Sequence, residues 1–186
     1  MSGRTADVPG ARRNGRSYVA LLRAVNVGGT SKLPMAELKR IAEELGFERP
    51  RTFIASGNLL FASELGEAQV RDKLAAALAK HMGRPVPVMV RTAAEIAAAA
   101  KANPFADAPG RRVLVTFLGE APPNNALDQA RGAEGERMAL GKREIYVDYC
   151  GRLLGRSKLR IPAAQAGTAR NMNTVAKLAE VAKEVE

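Results

Sequence analysis

Two successive blocks of short apolar runs alternate with helical periodicities, and each block holds a pair of runs around a turn. This pattern predicts an α+β fold of two similar sub-domains. With 186 residues, 46% of them hydrophobic, the chain can bury a self-sufficient core as one ordinary domain or two small ones packed together. The first block reads βαββαβ, the split-βαβ or ferredoxin-like order, which implies antiparallel sheets with helices on one face. The expected division is a disordered basic tail over residues 1–16, a first α+β sub-domain over 17–91, and a second over 92–186 that ends in a helix.

Residues 1–16 hold Gly, Pro, Arg and Asn without periodicity, too little apolar surface to repay ordering. Tyr18–Leu22 is a short, β-compatible apolar run and reads as a buried strand. The polar loop Asn26 to Lys32 follows it. Pro34 suits a helix's first turn, Leu38, Ile41, Ala42 and Leu45 repeat at helical spacing, and Gly46 is a natural stop. Thr52–Ala55 and Leu59–Ala62 flank Ser56-Gly57-Asn58 and read as a hairpin. Residues 67–82 form a second helix on Val70, Leu74, Leu78 and Met82, closed by Gly83, and Val86–Val90 supplies the last strand. In this order Tyr18–Leu22 and Leu59–Ala62 are the central strands.

The second half echoes the first incompletely, as β-α-β-β-α. An Ala-rich helix over 92–101, ended by Asn103-Pro104, joins the halves. Arg112–Leu118 is a strand, Pro122 to Asn125 precede a short helix near 126–131, and Glu136–Leu140 with Arg143–Tyr149 form a second hairpin. Residues 151–169 read as loop, and 172–184 as a closing helix.

Composition excludes several chemistries. One Cys rules out an intramolecular disulfide framework, and one Cys with one His argues against zinc. His81, near a helix end, reads as a surface residue, and Cys150 as a small packing residue. No carboxylate-rich loop favours Mg²⁺ or Ca²⁺, so no metal and no cofactor is expected. No run reaches the roughly 20 apolar residues of a membrane span, and the N-terminus lacks the apolar stretch of a secretory signal. A cytoplasmic protein without a membrane partner is the expectation, its oligomeric state open.

The formal net charge is +10, concentrated in the tail (Arg4, Arg12, Arg13, Arg16) and in Arg152, Arg156, Lys158 and Arg160. Such patches attract polyanions. Polar segments at element junctions are the candidate sites. Gly28 and Gly29 let the backbone approach a ligand, with Thr30, Ser31 and Lys32 beside a helix start. The loop matches neither the P-loop nor the dinucleotide fingerprint, and a plain strand-to-helix turn is the competing reading. Ser56-Gly57-Asn58 reads first as a structural hairpin turn, with a ligand-binding role as the second reading. Ser157-Lys158 and the stretch Thr168 to Thr174 form the third segment, with Thr168, Asn171 and Asn173 as N-cap candidates and Arg170 at the helix start.

The stretch Arg23-Ala24-Val25-Asn26-Val27-Gly28-Gly29, the helix beginning Met35-Ala36-Glu37-Leu38, Ser56-Gly57-Asn58 and Thr168-Ala169-Arg170-Asn171-x-Asn173-Thr174-Val175 resemble the mostly bacterial family known as domain of unknown function 1697. The resemblance spans roughly residues 17 to 184 and implies two α+β sub-domains of similar topology. It implies no activity, cofactor or partner. The chain departs from the family's pattern at Met172, where Trp is frequent.

Three functions follow as alternatives. The first is a binding module for an anion, either a phosphate-containing small molecule or a nucleic-acid backbone, at the sub-domain junction. Arg23, Asn26, Gly28, Gly29, Lys32, Ser56, Asn58, Lys158, Arg170, Asn171 and Asn173 are its candidate ligand-binding residues. Tyr18 and Phe61 alone, without Trp, disfavour base stacking on the sheet. The second is an enzyme acting on a phosphorylated or carboxylated small molecule with Arg23, Lys32 and Arg170 as a charge clamp, no catalytic residue being identified. The third is a structural or protein-interaction role.

Overall fold

The computed structural model describes residues 15–26, 32–151 and 156–185. The expectation of a disordered tail therefore falls, over residues 1–14, outside the described residues, as do Gly28, Gly29 and Arg152. Residue 16, assigned to the tail from sequence, opens the first strand.

The first half runs β1 (Arg16–Leu22), α1 (Met35–Glu44), β2 (Glu48–Phe53), β3 (Asn58–Ser63), α2 (Glu67–Met82), β4 (Val88–Thr92). Its sheet order is β2-β3-β1-β4, antiparallel throughout, so the ferredoxin-like order is present with β1 and β3 at the centre. Alternation along the strands sorts their side chains to two faces. Tyr18, Ala20, Leu22, Leu59 and Phe61 meet Leu38 and Ile41 of α1 and Val70, Leu74 and Leu78 of α2. Both helices end at glycines in left-handed conformation, Gly46 and Gly83.

The second half runs α3 (Ala93–Lys101), β5 (Val113–Phe117), β6 (Arg137–Leu140), β7 (Glu144–Asp148), β8 (Thr168–Asn171), α4 (Met172–Val181), then a 3₁₀ turn over Ala182–Val185. The sheet order β6-β7-β5-β8, again antiparallel, repeats the first strand for strand. A second core lies between the halves. Val19, Leu21, Leu60 and Ala62, on the far face of the first sheet, pack with Val115, Phe117 and Tyr146 of the second, and with Ile96 of α3 and Val175 and Leu178 of α4. The first sheet is thus covered on both faces.

Two expectations need correction. Residues 124–129 form turns, not a helix: the segment is too short to repay helix nucleation, and only Ala126 in it is fully buried. The second is β8, expected as loop and helix cap. Its inward residues are Thr168 and Arg170, so the two-residue alternation that marks a strand is carried by polar side chains, and a search for apolar alternation passes over it. No helix among the described residues is long and apolar enough to cross a membrane.

Candidate functional site

Arg170 projects from β8 into the first half and is 8% exposed. Its guanidinium donates from Nε to Asn58 Oδ1 at 2.6 Å, from Nη1 to Thr168 Oγ1 at 3.0 Å and Ala169 O at 2.8 Å, and from Nη2 to Leu22 O and Ser56 O at 2.9 Å and Gly57 O at 3.3 Å. Every donor it owns is used, and every acceptor is neutral. Burial pushes its pKa down to about 10, so at neutral pH it remains a buried cation.

The reciprocal joint, where the first half reaches into the second, shows what a balanced version looks like. Arg91 in β4 is 1% exposed. It donates to Leu118 O at 2.6 Å, Arg143 O at 3.2 Å, Val90 O at 2.8 Å and Glu144 Oε1 at 3.5 Å. The positions correspond. Arg91 pairs with Val19 on β1 and Arg170 with Val115 on β5. Each precedes a helix cap, Thr92 for α3 and Asn171 for α4. Leu22 N donates to Gly57 O at 2.8 Å, as Leu118 N does to Arg143 O at 2.9 Å. Each half therefore reaches into the other with a buried arginine. At the Arg91 end Glu144 supplies countercharge, while Glu67 and Glu95 pair Arg143 at 2.8 and 3.2 Å. At the Arg170 end the position of Glu144 is taken by Asn58.

Asn58 is fixed as an amide. Its Nδ2 donates to Phe53 O at 2.9 Å and Ser56 Oγ at 3.0 Å, and a carboxylate there would confront the Phe53 carbonyl instead. The turn before it is equally constrained: Gly57 has φ of +78°, and a Cβ there would stand 2.4 Å from Val25 Cγ2.

Above Arg170 opens a cleft of about 510 Å³, walled by Leu22, Arg23, Asn26, Ala55, Ser56 and Thr168 among others, with no Asp or Glu among the described residues of its lining. A second hollow of about 360 Å³ shares Asn26 and Ala55 with it and adds Lys32, Leu33, Pro34 and Met35. Among the described residues the Arg23 and Lys32 side chains have no hydrogen-bond or ion-pair partner. Asn26 holds the two hollows together: its Nδ2 donates to Leu33 O at 2.9 Å and Ala55 O at 2.7 Å, and its Oδ1 accepts from Leu33 N at 2.7 Å. Ala24, Asn26 and Ile54 around this mouth all have positive φ, of 53°, 57° and 51°, strained for Ala and more so for a β-branched Ile.

The structure thus gathers Arg23, Asn26, Ser56 and Arg170 at one cleft, with Asn58 buried beneath it against Arg170 and Lys32 in the adjoining hollow. The others lie apart. Asn171 caps α4 by accepting from Thr174 N at 2.9 Å. Asn173 is exposed beside Gly110, where a Cβ would meet its Oδ1 at 2.2 Å. Lys158 pairs with Glu134 at 3.7 Å and Ser157 bonds Glu136. Arg170 is no free clamp residue: to a ligand it offers charge and no hydrogen bond. His81 faces Glu37 at 3.4 Å on the surface. Cys150, expected as a packing residue, is exposed with its thiol 3.4 Å from Asp148 Oδ2. Sequence reasoning missed Arg91 and Glu144. The signal for them was the recurrence of an arginine directly before a helix cap, Arg91-Thr92 and Arg170-Asn171.

A solved structure described as conserved bacterial protein SP0830 from Streptococcus pneumoniae superposes with a TM-score of 0.72 at 24% identity, covering 90% of this chain and 98% of that one. It shares the fold. No curated protein matches the chain. The model of the family described as "Protein of unknown function (DUF1697)" matches residues 16–146, which takes in both sheets up to Tyr146 and stops before β8. By that match the chain belongs to the DUF1697 family.

Proposed function

We propose that the protein is a binding module for an anionic ligand, held in the cleft over Arg170. One observation carries the reading: the same buried-arginine joint occurs twice, and the copy that borders the cleft lacks the carboxylates that neutralise the other. A buried cation in low dielectric is costly without countercharge. An anion in the cleft would supply it, taking its hydrogen bonds from Arg23 and Lys32, whose donors are unspent among the described residues. The ligand's charge is thereby attracted by three cations and opposed by no acid among the described residues lining either hollow.

Calorimetric titration with inorganic phosphate at two salt concentrations tests this. Saturable binding that weakens at the higher salt and disappears in an Arg23→Ala/Lys32→Ala double variant with unchanged melting temperature supports the reading. Absence of binding, or binding that the double variant retains, overturns it.

A further inference from the structure

The two hollows differ in character, and the difference describes the ligand. The cleft over Arg170 is the charged one. The hollow it joins at Asn26 and Ala55 is walled by Leu33, Pro34 and Met35, with Lys32 as its cation. Next in the chain to Ala55, which lines both hollows, is Ile54, a large hydrophobic residue 49% exposed to solvent. It is held there in the left-handed region with φ of 51°, a conformation a β-branched residue adopts only at a cost. The tip of the β2–β3 hairpin therefore holds an apolar side chain in water in a strained conformation, one residue along the chain from the wall the two hollows share.

We propose that the ligand is amphipathic: a dianionic phosphate-monoester head over Arg170, Arg23 and Lys32, and a flat apolar body laid across Ala55, Pro34 and Met35 with Ile54 closing over it. This deepens the anion-binding reading and rests on it. The dianion follows from the number of cations, since Arg170 is uncompensated and Arg23 and Lys32 are unpaired among the described residues. The apolar body follows from the hollow's walls and from Ile54, which a bare phosphate would leave untouched. A body the size of a fused ring pair is commensurate with a hollow of about 360 Å³.

The test compares 2-naphthyl phosphate, inorganic phosphate, 2-naphthoate and 2-naphthol by calorimetry, on the intact chain and on Ile54→Asn. Asn tolerates the left-handed conformation, so the variant keeps the hairpin, which a melting curve checks. The expected result is binding of naphthyl phosphate at least tenfold tighter than inorganic phosphate and tighter than naphthoate. The Ile54→Asn variant is expected to lose at least threefold of that advantage while inorganic phosphate binds as before. Equal affinity for naphthyl phosphate and phosphate makes the site a head-group site alone and overturns the inference, leaving the anion reading intact. So does an advantage that Ile54→Asn fails to reduce. Naphthol binding as tightly as naphthyl phosphate overturns the charged head. If neither phosphate nor its ester binds, the anion reading itself falls.

Discussion

Arg170 and Arg91 occupy equivalent places and are held by equivalent carbonyls, yet only Arg91 has a carboxylate beside it. For Arg170 the joint between the halves is the immediate role. Arg170→Ala orphans the Ser56 carbonyl and the Asn58 amide oxygen across that joint and leaves the Leu22 carbonyl only its 3.3 Å bond from Thr168 Oγ1. It should lower unfolding free energy by about 2–4 kcal/mol in a urea titration. Arg170→Lys, which keeps the charge but loses the planar fork, should fall between. A second residue-scale expectation concerns Asp148, fully buried at the end of β7. Burial alone would raise its carboxyl, but the Cys150 amide at 2.9 Å, Arg137 at 2.8 Å and Arg112 at 3.4 Å outweigh this and hold it below the usual range. A carboxyl whose folded pKa is depressed stabilises the fold in full above its unfolded value near 4, and the contribution is lost as pH falls through the lower folded value. Asp148→Asn should therefore lower the melting temperature at pH 7, and the gap to the parent protein should close steadily below about pH 4.

Among elements, β1 and β3 are the most deeply placed. Leu60 on β3 is fully buried and faces α3, α4 and the second sheet rather than α1 and α2. Leu60→Ala should cost about 3 kcal/mol by chemical denaturation, the range for a leucine in a core that cannot collapse around the gap. This strand and its neighbours were legible in the sequence because apolar side chains carried their periodicity: α2 forms over the predicted residues 67–82, and α1 closes at Gly46 as read. β8 was not legible. Thr168 and Arg170 earn their burial through hydrogen bonds to the other half, and such long-range partners leave no local trace. The site followed the same division. Arg170 stood out beside polar residues in excess of capping need, Ser56 and Asn58 read first as turn residues, and the structure brings the three together. Asn171 and Asn173 stood out as part of that excess, yet local capping accounts for Asn171, and Asn173 lies by Gly110. Counting polar side chains at a helix start cannot separate the two cases.

For the whole molecule, the exchange of arginines between halves and the shared core make each half incomplete without the other. Heating should give one calorimetric transition, with calorimetric and van't Hoff enthalpies in agreement; two resolved transitions would mean that the halves unfold separately. The order in which the core closes has its own consequence. The face of the first sheet formed by Val19, Leu21, Leu60 and Ala62 is covered by α4 and by the turn ending at Val185, which is itself buried. On the ribosome that face emerges with the first third of the chain and waits for the last. At ordinary elongation rates the interval is on the order of ten seconds. Through it the nascent chain carries that apolar face without its cover, the kind of transiently exposed surface that makes a folding chain prone to aggregate.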